Sequence, residues 1–289
     1  MYTMPKRNLE VVVLSDIHLG TYGCQAAELN TYLKSINPSI LVLNGDIIDG
    51  WQFRKYYFPD DHLKVIRRIM KMMMQGTQVY YLTGNHDEML RRFTDITAGN
   101  FHLLNKLRLD LDGKKVWIFH GDVFDLTMRY SKFVAKLGGL GYNLLIYLNS
   151  LVNTLSQKMG KGKISLSKRI KDSVKNAVQF ISDFEMTATD LAFEHGYDVV
   201  ICGHIHRPAI DTRFKNGASV TYMNSGDWIE NLTALEYSNG EWSLFRYDDY
   251  IKTIAGVEAT DMHEDTDDDT DAIPGSYERF MQEFLVAAT

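Results

Sequence analysis

The sequence contains 289 residues with a net charge of −6, and 45% of the residues are hydrophobic, which is enough for a sizeable core in one large domain. Its two cysteines, Cys24 and Cys202, are too few for a disulfide framework and favour a reducing compartment. An apolar stretch such as residues 144–148 is far shorter than a transmembrane helix, and the apolar run near the N-terminus is too short for a signal peptide. We therefore expect a globular, cytoplasmic protein.

Charge is distributed unevenly along the chain. Residues 127–182 contain ten Lys or Arg and one acidic residue, which gives a net charge of +9, whereas the rest of the chain carries about −15. Residues 258–271 contain eight Asp or Glu and no Lys or Arg, a composition too polar to bury. We predict that residues 251–289 form an acidic, largely disordered tail; the alternative is a solvated acidic linker before a short helix at residues 277–285.

The predicted elements follow two patterns. In the first part of the chain, apolar residues at helical spacing predict helices over residues 26–35 and 63–73, each between two predicted strands. Farther along, alternating apolar residues flank an Asp-Gly dipeptide at residues 112–113 and an Asn-Gly dipeptide at residues 239–240, and this arrangement predicts two β-hairpins. Together the patterns predict an α/β fold of two packed sheets flanked by helices.

Residues 127–194 interrupt these patterns, and no strand is predicted there. Apolar residues spaced by three or four between positions 133 and 155 indicate one helix, and a second is predicted over residues 167–193 with Val178 and Phe184 on its apolar face. Seven Lys or Arg lie between positions 158 and 175. The two helices could simply pack on the rest of the protein, or they could form a lid that accepts acyl chains and rests on anionic lipid head groups.

Five short apolar runs lead directly into loops that carry His, Asp or Asn. The runs cover residues 11–14, 40–43, 79–82, 116–119 and 199–202, and their β-branched composition is typical of strands buried on both faces. Open α/β sheets place their active sites beyond the carboxyl ends of such strands. The polar residues in these loops include Asp16, His18, Asp46, Asn85, His120, His204 and His206.

This set offers nitrogen and oxygen donors, which suit Mn²⁺, Fe or Zn²⁺ better than a structural site of the cysteine type. Seven ligands are too many for one ion, so the set predicts two divalent metal ions, which can stabilise the attacking and leaving oxygens of a displacement at phosphorus. One such histidine alone would more often be a hydrogen-bonded core residue, but four that follow strands favour a metal site. Asp49 and Asp122 are expected to fix a ligand or a loop.

The motifs DxH, GDxxD, GNHD, HGD and GHxH occur in this order between Asp16 and His206, and in this the chain resembles the calcineurin-like metallophosphoesterase superfamily. The resemblance implies a four-layer αββα sandwich that hydrolyses phosphoesters or pyrophosphates with two divalent metals, Mn²⁺ before Fe or Zn²⁺. It also implies that His86 protonates the leaving group or stabilises the phosphoryl charge, with Asp87 orienting it. The implied ligands are Asp16, His18 and His206 for one metal, Asn85, His120 and His204 for the other, and Asp46 between them.

The helical insertion, the GHIHRP segment and residues 224–230 are similar to a bacterial branch of the family, related to UDP-2,3-diacylglucosamine diphosphatase of lipid A synthesis. One position differs from the pattern of this branch: His86 stands where those enzymes carry Arg after the metal-binding Asn. The resemblance implies a lipid-linked nucleotide-sugar substrate and peripheral contact with the cytoplasmic membrane face through a lid at residues 127–194, inserted in a domain of residues 8–250. Residues expected to contact the substrate are Arg129, Lys168, Arg169, Arg207 and Asn224.

Two other functions stay open. A phosphodiesterase or phosphatase for soluble nucleotides or phosphoproteins would use the same metals, and activity independent of acyl chains would distinguish it. The fold could also serve as a binding scaffold with a silent site, although the presence of all seven ligands and His86 weighs against this. Nucleic acid is not an expected partner, since no aromatic interleaving accompanies the basic residues.

Overall fold

The computed structural model describes residues 6–50, 58–124 and 166–258, with side chains of residues 177–254 in the third range. Within these residues, two β-sheets lie face to face between helices. One apolar cluster fills the space between the sheets, and two further clusters join each sheet to the helices on its outer face. This is the four-layer αββα sandwich that the sequence predicts.

The strands alternate along the chain with helices and hairpin turns. They are β1 (Arg7–Leu14), β2 (Ile36–Asn44), β3 (Gln78–Leu82), β4 (Ile96–Ala98), β5 (Phe101–Leu104), β6 (Lys106–Leu111), β7 (Lys114–Phe119), β8 (Val199–Cys202), β9 (Ala209–Lys215), β10 (Ala218–Asn224), β11 (Thr233–Ser238) and β12 (Glu241–Arg246). The helices are α1 (Ala26–Lys34), α2 (Asp60–Met74), α3 (Leu166–His195) and α4 (Tyr247–Glu258), with a 3-10 helix at Glu88–Phe93.

The first sheet has the order β12-β11-β1-β2-β3-β5-β4, and the second has the order β6-β7-β8-β10-β9. In the first sheet β1, β2, β3 and β5 run parallel, and in the second β7, β8 and β10 run parallel. All five of the predicted apolar runs lie in these parallel strands. Their carboxyl ends therefore lie at one end of each sheet, which places the polar loops together.

The apolar run in β1 is buried on both faces because both faces meet a core. Val12 and Leu14 point into the cluster shared with α1 and α2, whereas Val11 and Val13 point into the cluster between the two sheets. All four are 0% exposed. A run of apolar β-branched residues without alternation is the sequence that such a strand requires.

Both predicted hairpins are confirmed. Asp112 and Gly113 have φ angles of 53° and 76°, and Asn239 and Gly240 have φ angles of 54° and 81°. Positive φ at both central residues is the requirement of a type I′ turn, which suits the twist of a two-residue hairpin. A third turn of the same kind, at residues 216–217, joins β9 to β10. It is not among the predicted hairpins, although its Asn-Gly dipeptide is the same signal.

The second predicted helix of the insertion is observed as α3, but its two halves differ. Phe184, Ala188 and Ala192 are fully buried against the second sheet, whereas Val178 is 61% exposed. Val178, which the sequence places on the same apolar face as Phe184, is therefore not buried against this sheet. The second half of α3, within the residues predicted to form the insertion, therefore packs as part of the sandwich.

The other predictions for the insertion and the tail have mixed outcomes. α4 continues as a helix to Glu258, so the first residues of the predicted disordered tail are helical. The predicted helices within residues 133–155 and 277–285 lie outside the described residues. Both cysteines are free thiols, as expected. Among the helices of the described ranges, none is long and apolar enough to cross a membrane.

Ala188→Leu tests the placement of α3 in the sandwich. Ala188 is fully buried between α3 and the second sheet, so the larger side chain is expected to lower the free energy of unfolding by about 1–3 kcal/mol. Met186→Leu is the matched control, because Met186 is 49% exposed on the same helix and its change is expected to stay within about 0.5 kcal/mol. Urea unfolding followed by circular dichroism measures both, and equal effects would contradict this placement.

Candidate metal centre

The loops after the parallel strands of both sheets meet at one end of the sandwich. The loops after β1, β2 and β3 come from the first sheet, and those after β7 and β8 come from the second. The structure thus brings together the predicted ligands Asp16, His18, Asp46, Asn85, His120, His204 and His206.

Hydrogen bonds between the two sheets fix the loops relative to one another. The His120 Nδ1 atom donates to the carbonyl oxygen of Asn44 at 2.9 Å, and the backbone N–H of His204 donates to Asp16 Oδ2 at 3.0 Å. Because a carbonyl oxygen only accepts hydrogen bonds, the first contact places the proton of His120 on Nδ1. The other ring nitrogen, Nε2, lies 3.3 Å from Asp46 Oδ2 and can offer its lone pair to a cation.

Metal-binding atoms converge in three overlapping groups, and within each group they lie within 4.8 Å of one another. The groups are Asp16, His18 and His206; Asp46, His120 and His204; and His18, Asp46 and His86. The first two contain the His and Asp ligands that the family resemblance implies for each metal, and Asn85 is the remaining implied ligand. Asp46 belongs to two groups, as expected of a residue between two metals.

Several of these donors are buried without a hydrogen bond. Within the described part of the chain, Asp16 Oδ1, His18 Nε2, Asn85 Oδ1 and His120 Nε2 are inaccessible to solvent and make no hydrogen bond, although Asp16 Oδ1 and His120 Nε2 each face an oppositely charged side chain at 3.2 and 3.3 Å. A buried polar atom that lacks a hydrogen bond costs about 1–3 kcal/mol. Buried donors in this state fit a centre that divalent cations complete, and the mixed nitrogen and oxygen donors agree with such ions.

The backbone of the loops is strained at the ligands. Asp16, His18, Asp46, His204 and His206 have φ angles of 51°, 54°, 53°, 68° and 53°. Residues with a side chain seldom adopt this left-handed region, and each instance persists only where its surroundings hold it. The strain is concentrated on five of the seven predicted ligands, which is typical of a functional site.

Three glycines leave room for the ligand side chains. A Cβ atom on Gly45 would overlap the His120 ring, and a Cβ atom on Gly84 would overlap Asp46 Oδ1 and its backbone nitrogen. A Cβ atom on Gly203 would lie 2.7 Å from Asp16 Oδ2. These glycines are the G of GD, GN and GH in the motifs, so each motif supplies both a ligand and the space next to it.

The electrostatic balance of the loops favours charged carboxylates. Burial alone raises the pKa of Asp16. The His206 imidazole opposes this effect, because its Nε2 lies 3.2 Å from Asp16 Oδ1, and the pKa of Asp16 is lowered to about 2. Burial lowers the pKa of His206, but the Asp16 carboxylate raises it to about 9. In Asp46, burial raises the pKa and His120 lowers it well below its usual range. The carboxylates thus attract positive charge, which a divalent cation supplies.

His86, the expected proton donor, lies at the edge of this cluster. Its Nδ1 is 2.9 Å from Asp49 Oδ2, and the same oxygen is 3.3 Å from Nδ1 of the ligand His18. Burial lowers the pKa of His86, but the hydrogen bond to Asp49 and the charges of Asp46 and Asp49 raise it above its usual value. Asp49 therefore orients both a predicted ligand and the predicted proton donor.

The Asp87 carboxylate points into its own loop. It is 1% exposed, and its oxygens accept hydrogen bonds from the Gly84 N–H at 2.5 Å, the Ile47 N–H at 3.0 Å and the Tyr81 hydroxyl at 2.6 Å. The prediction that Asp87 orients the proton donor is corrected accordingly, because three donors already direct its carboxylate elsewhere. Asp87 fixes the loop, and Asp49 supplies the orienting contact.

Asn224, predicted to contact the substrate, is fully buried. Its side-chain amide donates to the Gly203 carbonyl at 2.8 Å, and its side-chain oxygen accepts from the Gly226 N–H at 2.9 Å. These contacts hold the loop after β8 to the loop after β10. The structure therefore gives Asn224 a structural role in place of a substrate contact.

The other residues expected to contact substrate are basic. Arg207 directly follows His206, and its side chain is 52% exposed and donates to Glu185 of α3 at 2.6 Å. Lys168 and Arg169 lie in the first turn of α3, but their side chains, like the whole of Arg129, lie outside the described residues.

Sequence reasoning missed two residues that support His206. The Asn231 amide donates to the His206 carbonyl at 2.9 Å and to Asp227 Oδ2 at 2.5 Å. Asp227 is 0% exposed, and its Oδ2 lies 3.8 Å from His206 Nδ1. The segment around Asp227 stood out in the sequence only as a likeness to one branch of the family, so its contact with a ligand could be found only from the fold.

The αββα sandwich and its converging His, Asp and Asn side chains define a metal-dependent hydrolase. The family profile described as calcineurin-like phosphoesterase matches residues 9–208, more than half of the chain, and the protein belongs to this family. It is therefore a metal-dependent phosphoester hydrolase, and the silent-scaffold alternative is set aside.

Curated relatives resemble the chain over most of its length. A UDP-2,3-diacylglucosamine hydrolase of Stenotrophomonas maltophilia is 25% identical over 244 residues, which cover 82% of this chain and 98% of that protein. An enzyme of the same name from Shewanella sp. (strain MR-4) is 29% identical over 236 residues, 80% and 94% of the two chains. Among solved structures, the phosphoesterase Yfce from E. coli is 14% identical with a TM-score of 0.40, covering 83% and 93% of the two chains.

Gly84→Ala tests whether the space next to Asp46 is needed by the centre. The added methyl group overlaps the Asp46 carboxylate and backbone, so we expect Mn²⁺ affinity to fall at least about tenfold, measured by calorimetric titration. Gly196→Ala is the control, because Gly196 has a φ of 68° in open space. It is expected to lower stability by about 1 kcal/mol and to leave Mn²⁺ binding unchanged. Unchanged affinity in Gly84→Ala would contradict the geometry.

Proposed function

We propose that the protein hydrolyses a pyrophosphate or phosphodiester bond in a lipid-linked nucleotide sugar similar to UDP-2,3-diacylglucosamine. The observation that carries this proposal is the extent of the match to relatives of that name, which covers 98% of the length of the Stenotrophomonas maltophilia enzyme. The match therefore spans more than the metal motifs. With UDP-2,3-diacylglucosamine as substrate, the products would be UMP and an acylated sugar phosphate.

We propose that the centre holds two divalent metal ions, with Mn²⁺ preferred and Fe or Zn²⁺ as alternatives. The buried atoms without a hydrogen bond on four of the ligands and the position of Asp46 in two donor groups support this. When bound, such a pair supplies electrostatic stabilisation of the attacking and leaving oxygens at phosphorus. The residues that would hold the pair are Asp16, His18 and His206; Asn85, His120 and His204; and Asp46 between them.

We propose that His86 is the general acid that donates a proton to the leaving oxygen. Its Nδ1 is held by Asp49 at 2.9 Å, while its Nε2 faces the cluster and lies 4.0 Å from Asp46 Oδ2. Contact with a carboxylate on one ring nitrogen fixes the ring and stabilises its protonated form, as required of an acid. The position of Nε2 beside Asp46 supports this role for His86.

Binding of the lipid part of the substrate is assigned to the insertion. Residues 127–182 carry a net charge of +9, which suits substrate phosphates and anionic lipid head groups. Within our proposal, Arg207, Lys168, Arg169 and Arg129 contact anionic groups of the substrate, and the insertion makes peripheral contact with the cytoplasmic membrane face.

A second candidate is a phosphodiesterase or phosphatase that acts on soluble nucleotides or phosphoproteins. The observation in its favour is His86, which stands where the lipid A enzymes that the sequence resembles carry Arg. An Arg cannot release a proton near neutral pH, whereas a histidine can. The difference therefore changes the chemistry available at the leaving group, and the substrate can differ with it.

Two substitutions separate metal binding from proton donation. Asp46→Ala is expected to abolish Mn²⁺ binding and activity together, because Asp46 lies between the two groups of ligands. His86→Ala is expected to retain Mn²⁺ binding and to lower kcat by about 10²- to 10⁴-fold. Calorimetric titration with Mn²⁺ and steady-state kinetics provide both measurements. Intact turnover in His86→Ala would show that the acid lies elsewhere.

The substrate is tested with the Mn²⁺-loaded enzyme given UDP-2,3-diacylglucosamine, UDP-N-acetylglucosamine or bis(p-nitrophenyl) phosphate. Because the acyl chains distinguish the first two, we expect UMP to be released only from the acylated nucleotide sugar, as measured by product chromatography. Asp46→Ala serves as the matched inactive control for contaminating hydrolases. Hydrolysis of the generic diester without release of UMP would retain the metal chemistry and reject the lipid-linked substrate.

A further inference from the structure

Glu185 of α3 is a buried acid with two cationic partners. It is 4% exposed, and its two oxygens accept separate hydrogen bonds, from Arg207 at 2.6 Å and from Arg213 at 2.8 Å. A carboxylate that is removed from water needs such partners, and loss of its charge leaves their guanidinium groups uncompensated. The short distances identify both contacts as charge-assisted hydrogen bonds.

The two arginines differ in how close they are in the sequence to a predicted metal ligand. Arg207 immediately follows His206, a predicted ligand, whereas Arg213 lies within β9 and pairs with Val220 of β10. Glu185 therefore joins α3 to the ligand loop through one oxygen and to the edge of the second sheet through the other. Because Arg213 binds the other oxygen of the same carboxylate, its substitution serves as a control for substitution of Arg207.

The preceding residue of α3 contacts the same loop. The Phe184 ring lies 6.1 Å from the His204 ring, measured between centroids, and it also fills the space beside Gly121. Two successive residues of α3, one apolar and one charged, thus support the loop that carries both His204 and His206.

His206 depends on such support because of its backbone. Its φ angle is 53°, a left-handed conformation that must be held by its surroundings. The Asn231 amide donates to the His206 carbonyl at 2.9 Å, and the next residue, Arg207, is held by Glu185. The chain is thus held directly after the ligand by two contacts, one from the turn before β11 and one from α3.

We infer that Glu185 is a positioning residue for the metal centre, which acts through Arg207 to keep His206 in its metal-binding orientation. Glu185 itself touches neither metal nor substrate in this role. The inference rests on the proposed metal centre and is independent of the substrate. It also gives a reason for the buried charge that ties α3 to the loop that follows β8.

The test compares Mn²⁺ binding to four variants of the full chain by calorimetric titration of the metal-free protein. Glu185→Gln and Arg207→Gln are each expected to weaken one of the two Mn²⁺ sites about tenfold. The double variant is expected to bind no more weakly than Glu185→Gln alone, because both changes remove the same contact. Arg213→Gln, the matched control, is expected to keep the affinity of the wild type. Circular dichroism confirms the fold of each variant.

Several outcomes would overturn the inference while leaving the metal centre intact. These are normal Mn²⁺ affinity in Arg207→Gln, equal weakening by Arg213→Gln, or additive losses in the double variant. If Glu185→Gln does not fold, the comparison of Arg207→Gln with Arg213→Gln decides the question, because both arginines are partly exposed. Failure of the wild-type protein to bind Mn²⁺ would instead overturn the proposed centre on which the inference rests.

Discussion

The hydrogen bond from His120 Nδ1 to the Asn44 carbonyl oxygen joins the two sheets at the point where their polar ends meet. It links the last residue of one parallel strand to the loop after another strand, in the opposite sheet. With Nδ1 engaged, the His120 ring can direct only Nε2 towards Asp46, so the contact between the sheets also selects the atom that can bind a cation. Three ligand loops belong to the first sheet and two to the second. They form one shared centre only because contacts of this kind hold the ends of the two sheets together.

Contacts farther from the centre compensate for the cost of this arrangement. Strained backbone, unpaired buried donors and closely packed glycines would each destabilise an isolated loop. Here Asp49 holds two histidines from the first sheet, and Asn231 holds the loop of His206 from the second. Substitution of supporting residues of this kind typically lowers metal affinity by about 10- to 100-fold. The buried acids of this end of the molecule therefore serve two purposes, as ligands and as anchors.

The sequence predicts the layers of the fold and the meeting of the ligand loops well, because both depend on periodicity and on where strands end. The roles of neighbouring residues are predicted less well. Asp87 follows His86 directly, yet a turn sends its carboxylate away, and Asp49, 37 positions earlier in the chain, reaches His86 instead. The apolar face of α3 shows the same limit, since the apolar period includes both Phe184 and Val178 although Phe184 is buried and Val178 is exposed. Contacts that are set by tertiary geometry leave no local period or spacing in the sequence.

The length of α3 gives the metal loop a mechanical connection to a distant point. The helix has 30 residues, and the 18 residues before Phe184 correspond to about 27 Å of helix at 1.5 Å per residue. A tilt of about 5° around the contacts at Phe184 and Glu185 would move the first turn of the helix by about 2 Å, while the loop of His206 would move far less. The length of the helix before these two contacts thus makes the position of its first turn much more sensitive to a change of tilt than the position of the His206 loop.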